Sequence, residues 1–275
     1  MIPVLQPAST SMRRTLPGGF PMRVILGLLL VAWIVAPMVP VLLWSVAGQW
    51  RAPAVLPSSF SLQGFTALAT ADTARAAVSS LSLGVGVAVI ATPLGYLGAL
   101  AVRALAPAPS RFVEFVLLTP LAIPPFALVM GINVALLRLY LSPPLGVTLV
   151  LVVTALPYTA FMFRSALASY DHRFEEVARS LGASPVQAAR HVRYHLLAGA
   201  AARAFFLAFL VGWGDYITTV LIGGGQLRTL PLLLGSAASA TGNEQLTAAL
   251  SVAIIVPPLI LLAGLTLPAS RRKRQ

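Results

Sequence analysis

The sequence of 275 residues contains no cysteine and only one lysine, Lys273. Without cysteine, the chain can form neither a disulfide framework nor a thiolate metal site. A nucleotide-binding phosphate loop needs a lysine between a glycine and a serine or threonine, whereas Lys273 follows Arg272. We therefore expect no ATP site of that kind in this chain, and neither a cofactor nor a bound metal.

Charged side chains are also scarce. They make up 9% of the residues, against about a quarter in soluble domains. Hydrophobic residues account for 58%, and the mean hydropathy is +0.88, so the polar surface is too small to cover a water-exposed globule. The net charge of +12 comes from basic residues at the ends of apolar stretches, without interleaved aromatic side chains. This placement is typical of membrane topology and not of nucleic-acid binding.

Apolar stretches long enough to cross a bilayer dominate the chain, since a helix needs roughly 20 residues to span the hydrocarbon core. Six candidates cover residues 24–46, 76–102, 112–139, 145–167, 196–222 and 246–267. The sequence therefore predicts an all-α integral membrane protein with six transmembrane helices. Prolines interrupt most of these stretches, which membrane helices tolerate because neighbouring helices satisfy the freed carbonyl groups.

The basic residues predict the orientation of the spans. Fifteen of them lie on one side and four on the other, so both termini are expected in the cytoplasm. The first stretch is longer than the apolar run of roughly 7–15 residues in a signal peptide, and we interpret it as a retained anchor.

The predicted domain organisation follows from these spans and their flanks. It comprises a cytoplasmic segment at 1–23, a first transmembrane helix with an outer loop at 24–73, a transmembrane domain at 74–267 and a basic cytoplasmic tail at 268–275. The longest polar cytoplasmic stretch, at 169–195, lies inside the transmembrane domain. It is the part of the chain with the clearest local signals.

The first half of this loop carries apolar residues at the spacing of one helical face. They are Phe174, Val177, Ala178 and Leu181. Asp171, Glu175 and Glu176 lie toward the N-terminal end of this run, where carboxylates complement the helix dipole. A short amphipathic helix is therefore predicted here.

The second half of the loop carries the signals of a turn and a new helix. Gly182 can adopt the left-handed conformation that ends a helix. Ser184, Pro185 and Gln187 then match an N-cap, a first helical position and a capping box. From composition alone, a helix lying on the membrane or on the chain's own bundle is the favoured interpretation of this helix–turn–helix.

A resemblance to a known family changes that interpretation. The run of Glu176, Val177 and Ala178, followed by Gly182 and then Val192, resembles the EAA loop of binding-protein-dependent ABC permeases. That loop reads Glu-Ala-Ala-x3-Gly-x9-Ile-x-Leu-Pro. The similarity extends over about residues 74–267, including the proline-rich run at 121–125, the run at 212–216 and the glycine-rich run at 223–231.

Two positions depart from the family pattern. Val177 replaces the usual alanine, which an apolar helical face accommodates. Tyr194 and His195 replace the closing Leu-Pro, which leaves open whether the chain bends before the fifth stretch.

The resemblance implies a type I ABC importer permease fold and a set of partners. These are a cytoplasmic ABC ATPase dimer, a second permease subunit, identical or homologous, and an extracytoplasmic solute-binding protein, all at a bacterial inner membrane. The ATPase contact it implies comprises Phe174, Glu175, Glu176, Val177, Ala178, Leu181, Gly182 and Ala183. Because the partner hydrolyses ATP, the chain itself is not expected to be an enzyme. The glycine-rich run is similar to permeases for polyamines, ferric iron, thiamine or phosphonates.

Polar residues inside the spans are candidates for the solute pathway. Apart from Glu114, which flanks the third stretch, Asp215 is the only acidic residue in a predicted span, where charges are costly and usually functional. It either lines the pathway or accepts hydrogen bonds from backbone loosened by neighbouring glycines. Asn133 either bonds between helices or lines the pathway. His191 and His195 share a helical spacing with zinc ligands, but no third ligand accompanies them.

Two other function classes fit the sequence less well. A secondary transporter driven by an ion gradient usually carries several intramembrane ionisable groups, whereas Asp215 stands alone. An intramembrane hydrolase needs a nucleophile and base facing each other, and all three histidines lie in the cytoplasmic loop.

Overall fold

The computed structural model describes residues 20–50 and 53–271, so most of the predicted cytoplasmic segment and the last residues of the basic tail lie outside the described residues. The helices are α1 (Phe20–Val35), α2 (Met38–Val46), α3 (Gln63–Ala67), α4 (Ala71–Ala104), α5 (Pro107–Ala122), α6 (Pro125–Arg138), α7 (Pro143–Ala168), α8 (Arg173–Ser180), α9 (Pro185–Ala188), a π-helical turn (Ala189–Arg193), α10 (Tyr194–Trp213), α11 (Ile217–Ile222), α12 (Leu230–Ser239) and α13 (Glu244–Arg271). Two short strands, β1 (Ala47–Gln49) and β2 (Ser59–Phe60), pair in antiparallel fashion.

Several of these helices are long and apolar enough to cross a membrane. Within the described ranges they are α4, α7, the continuous segment Pro185–Trp213 and Glu244–Leu265 of α13. Two bent pairs reach the same length when each is joined: α1 with α2, bent by 47°, and α5 with α6, bent by 108°. The described chain thus offers four to six spans, in agreement with the predicted all-α membrane fold.

The structure corrects the predicted shapes of the third and fifth stretches. The third stretch, expected as one span over 112–139, breaks after Ala122 and turns by 108°. Pro124 and Pro125 lie at this break. They lack the N–H that continues a helix, and proline also disfavours helical backbone in the residue before it. The fifth stretch, expected over 196–222, ends at Trp213 and resumes at Ile217.

The core lies where α4, α7 and α10 pack against one another. Phe209 and Val87 are among its largest fully buried side chains. At the crossing of α4 and α10 the backbones nearly touch, because a Cβ atom added to Gly212 would lie 2.8 Å from Cα of Gly84. Only glycine permits this approach, and it fixes α10 against α4.

Polar contacts hold the neighbouring helices to this core. The indole Nε1–H of Trp213 on α10 donates to the carbonyl of Ile254 on α13 (3.0 Å). The backbone N–H of Leu230 at the start of α12 donates to Oγ of Ser80 on α4 (2.8 Å). These bonds join α10 to α13 and α12 to α4, on either side of the break in the fifth stretch.

Candidate functional site

The first helix of the loop forms and ends as the sequence predicts. The backbone N–H of Arg173 donates to Oδ1 of Asp171 (2.9 Å) at the start of α8. At the other end Gly182 has φ +92°. Its N–H donates to the carbonyl of Arg179 (3.0 Å), and the next N–H, of Ala183, donates to that of Ala178 (3.1 Å). This pair of bonds is a Schellman motif, which satisfies the last carbonyls of the helix.

The second helix begins with the predicted capping box. The N–H of Gln187 donates to Oγ of Ser184 (3.3 Å), and the N–H of Ser184 donates to Oε1 of Gln187 (2.8 Å). From Pro185 the backbone stays helical through a π turn and on to Trp213. The helix is therefore not broken before the fifth stretch, and His195 keeps the N–H that the proline of the family pattern lacks.

The large apolar side chains of α8 and of Leu181, which follows it, face outward. Phe174 and Val177 are each 57% exposed and Leu181 is 83% exposed, and Val186 of α9 continues the surface. We call these four residues the outer face of the loop. Glu176 is exposed beside it, whereas Ala178 and Ala183 are partly buried. An exposed apolar face rimmed by polar residues is typical of a protein-binding surface.

Glu175 has a different environment from its neighbour Glu176. Its Oε1 and Oε2 accept hydrogen bonds from Nε and Nη2 of Arg193 (2.7 and 2.8 Å). The Tyr170 hydroxyl donates to the same Oε1 (2.6 Å). The Arg193 hydrogen bonds hold the pKa of Glu175 below its ordinary value. Burial and the adjacent carboxylate raise the pKa of Tyr170 to about 12, so its hydroxyl stays protonated and keeps donating.

The resemblance places Glu175 and Glu176 in the same ATPase contact, and in the structure the two side chains have different surroundings. Whether Glu175 contacts an ATPase stays a prediction. No periodic signal links Glu175 to Arg193, because they lie eighteen residues apart on either side of a turn. The π turn that ends at Arg193 was also not predicted. Across the described residues no cluster of three potential metal-ligating side chains occurs, and Nδ1 of His191 lies 3.0 Å from the carbonyl oxygen of Gln187.

A cavity of about 520 Å³ lies where the two helix breaks meet. Its walls come from the ends of α5 and α6, from α7, and from the break between α10 and α11. The lining residues are Pro120, Pro125, Leu128, Val129, Leu151, Thr154, Leu210, Val211, Gly214, Asp215, Tyr216, Ile217 and Thr218. Broken helices around a cavity are how many transporters present polar backbone and helix ends to a solute within the membrane.

Asp215 lines this cavity and also bonds to the first turn of α11. Its Oδ1 accepts from the N–H of Thr218 (3.2 Å), and its Oδ2 accepts from the N–H and the hydroxyl of Thr219 (2.8 and 2.9 Å). Its carboxylate therefore bonds to the first turn of α11 and borders the cavity. Whether the residue serves the solute pathway stays a prediction. Asn133 lies half-buried on α6, outside the lining of this cavity.

Comparisons with known proteins agree on one family. The sequence profile described as "binding-protein-dependent transport system inner membrane component" matches residues 91–273. The PhnV permease protein of Salmonella paratyphi A, whose name links it to 2-aminoethylphosphonate transport, is 31% identical over 90% of this chain and 94% of its own length. The spermidine/putrescine permease protein PotC of Escherichia coli K12 is 25% identical over 72% of this chain and 76% of its own.

A solved structure shares the fold. It is a chain of a bacterial ABC transporter involved in the import of the acidic polysaccharide alginate, with a TM-score of 0.64. The match covers 89% of this chain and 94% of that chain at 17% identity. At that identity the likeness concerns the arrangement of the helices, and it agrees with the profile match.

Proposed function

This chain belongs to the family of binding-protein-dependent transport system inner membrane components, and we propose that it forms half of the solute pathway of an ATP-driven importer. A second permease subunit supplies the other half, and a separate ATPase dimer binds at the cytoplasmic loop. An extracytoplasmic binding protein delivers the solute. Membership in this family speaks against a transporter driven by an ion gradient.

The outer face of the loop is the observation that carries this proposal. Phe174, Val177 and Leu181 leave their apolar side chains uncovered by the rest of the chain, on a helix closed at both ends. Exposing such a patch costs free energy unless a partner covers it. A short helix that projects from a capped turn can enter a groove on the ATPase, and Glu176 at its edge can pair with a basic residue there.

The solute that we propose is a small charged nutrient of the phosphonate or polyamine type. The names of the relatives PhnV and PotC support this class. The cavity offers hydroxyl groups from Thr154 and Tyr216 beside the carboxylate of Asp215. Uptake of radiolabelled 2-aminoethylphosphonate and putrescine by vesicles that contain the complete importer distinguishes the two chemistries.

The ATPase contact can be tested with a matched pair of exposed valines. Val177 on the outer face is 57% exposed, and Val55 in the predicted outer loop is 85% exposed. Because neither is buried, aspartate at either position should leave folding intact. We expect Val177→Asp to reduce recovery of the ATPase from solubilised membranes by about tenfold or more, as for a central interface residue. Val55→Asp should recover the ATPase normally.

The opposite outcome is equally informative. If Val177→Asp and Leu181→Asp both retain normal ATPase recovery and normal uptake, the outer face is not the docking surface. In that case the loop is a helix pair on the membrane surface, and the importer proposal loses its main physical support.

We further propose that both termini lie in the cytoplasm. The absence of native cysteine permits single cysteines at four exposed positions, Ser58, Ser142, Ser184 and Thr241. A membrane-impermeant thiol reagent applied to whole cells should label the first, second and fourth positions and spare Ser184. Labelling of Ser184 from outside the cell contradicts this orientation.

A further inference from the structure

On the side of α8 away from the outer face, a carboxylate forms a hydrogen-bonded cluster with residues of two other elements. The carboxylate of Glu175 accepts three hydrogen bonds, two from the guanidinium of Arg193 and one from the hydroxyl of Tyr170. We call these three residues the Glu175 cluster. The ion pair is largely sheltered, since the side chains of Glu175 and Arg193 are 14% and 26% exposed.

The three residues of the cluster belong to three different elements. Tyr170 follows the end of α7, Glu175 lies in the first turn of α8, and Arg193 closes the π turn that leads into α10. The cluster therefore ties the loop helix to the cytoplasmic ends of two long apolar helices. α8 also packs against α9 and the π turn, and the cluster adds the bonds that join it to the end of α7.

The geometry of the cluster resists rotation as well as separation. A bidentate pair between a carboxylate and a guanidinium fixes both distance and orientation, which a single point charge does not. Eight residues are too few for a helix to be stable on its own in water. The position and direction of α8 therefore depend on what holds it.

The ends of the long helices next to the cluster are themselves packed together. The ring of Tyr96 on α4 lies 5.2 Å from that of Phe163 on α7 and 6.1 Å from that of Tyr194 on α10, between centroids. A displacement of Arg193 should therefore move the packed ends of these helices together, and not only the side chain of Arg193.

We propose that the Glu175 cluster is the rigid link that transmits movement of the ATPase-docking helix to α7 and α10. This inference rests on the proposed function, and it assigns Glu175, Arg193 and Tyr170 as positioning residues for transport. Docking belongs to the outer face, and transmission belongs to the inner side of the same helix.

A functional experiment separates these two roles. Glu175→Gln keeps the shape of the side chain and removes its charge, while Arg193→Lys keeps the charge and removes the bidentate geometry. Both variants should still bind the ATPase, measured by its recovery from solubilised membranes. Transport is then measured in vesicles that contain the complete importer. Both should transport about tenfold less solute per ATP hydrolysed, a change within the usual range of coupling between sites.

The matched control removes an ion pair of a different kind. Asp72 and Arg75 form a 2.6 Å pair on α4 whose side chains are 60% and 77% exposed, and such pairs contribute little. Asp72→Asn should transport as much solute per ATP as the unmodified chain. This control shows that the loss in Glu175→Gln comes from the cluster and not from breaking any surface ion pair.

A distance measurement tests the rigidity directly and needs no ATPase. Ser180→Cys on α8 and Ala198→Cys on α10 introduce two spin-label sites into a chain without native cysteine. Dipolar electron spin resonance should give a narrow distance distribution in the purified chain. Adding Glu175→Gln should broaden it, while adding Asp72→Asn should leave it unchanged.

The outcomes distinguish this inference from the proposed function. Uncoupled transport with normal ATPase recovery and a broadened distribution supports the link. An unchanged distribution in Glu175→Gln, or unchanged solute transport per ATP, overturns it, and so does loss of ATPase recovery in both cluster variants. If the unmodified chain recovers no ATPase, the proposed function is wrong, and the distance measurement still decides whether the cluster holds α8 rigidly.

Discussion

The loop at 169–195 and the cavity at the helix breaks are both built from interrupted helices, but the interruptions are closed in different ways. In the loop, Gly182 and Ser184 satisfy the ends of the two helices with bonds to neighbouring residues. At the break between α5 and α6, Pro124 and Pro125 are the N-cap and the first residue of α6. Neither proline has a backbone N–H. No side chain in the described residues caps that start.

This difference matches the role that we propose for each region. A loop with satisfied ends is stiff and can transmit movement. A helix break beside a cavity leaves polar backbone groups available to a solute, which is tolerated in a membrane only where they are buried in protein or face an enclosed space. We expect substitutions in the loop to change coupling and substitutions at the breaks to change packing or transport.

The largest expected effect tests the framework that supports the breaks. Gly212→Val places a branched side chain where the backbone of Gly84 lies 2.8 Å from the added Cβ. Backbone cannot move aside as a side chain can, so we expect a loss of about 3 kcal/mol or more and little assembled protein. Thermal unfolding of the chain in detergent and its level in membranes measure this.

A neighbouring glycine provides the control for that change. A Cβ added to Gly86 on α4 meets no atom within 4 Å, and alanine has the higher helix propensity. Gly86→Ala should therefore be neutral or slightly stabilising. Equal losses in both variants would show that the close approach of α4 and α10 is not what holds the break region.

The next effect concerns Asp215 and separates its two roles. Asp215→Ala removes the acceptor for two backbone N–H groups and should cost about 1–2 kcal/mol, as for loss of a helix cap. Asp215→Asn keeps a capping oxygen and should leave stability nearly unchanged, while uptake falls if the charge serves the solute. Normal uptake kinetics in Asp215→Asn would leave this residue with the structural role alone.

A smaller effect tests the local signals of the loop. Ser184→Ala removes the capping box and should lower the free energy of unfolding by about 1 kcal/mol. Ser180→Ala changes a serine four residues away whose hydroxyl bonds only to the carbonyl of Val177, and it should have little effect. If the two variants lose the same stability, the second helix does not depend on its cap.

The smallest expected effect is the response of the loop to pH. The folded pKa of Glu175 lies below its ordinary value of 4.5, so its contribution to stability is present above that value and is lost as pH falls through the folded pKa. The distance distribution between α8 and α10 should thus stay constant from neutral pH down to about 5. Broadening near neutral pH would show that another group controls the loop.

The sequence predicts most of the loop because its signals are local. Gly182, Ser184 and Gln187 each act on backbone within a few residues, and the structure confirms the helix–turn–helix that they specify. The cytoplasmic orientation of the loop and its contact with an ATPase stay predictions. The membrane class is equally accessible, because composition and run length suffice for it.

The parts that the sequence does not predict depend on contacts between distant residues or on geometry. The prolines of the third stretch predict an interrupted helix. They do not predict the angle of the interruption, which is 108° in the structure. The approach of Gly212 to Gly84 joins helices more than a hundred residues apart. The ion pair between Glu175 and Arg193 depends on a π turn, which the apolar periodicity of the sequence does not predict.

The π turn at Ala189–Arg193 has a consequence for how this loop can vary through evolution. A π turn accommodates one residue more than an α-helix of the same rise. Deleting one residue within Ala189–Arg193 would therefore restore a regular α-helix and keep the preceding residues in register with α10. A deletion in α9, the α-helical turn before it, would instead rotate everything that precedes it by about 100° relative to α10, which would turn Glu175 away from Arg193. Between Gly182 and the fifth stretch, the π turn is thus the place where the loop should tolerate the loss of one residue.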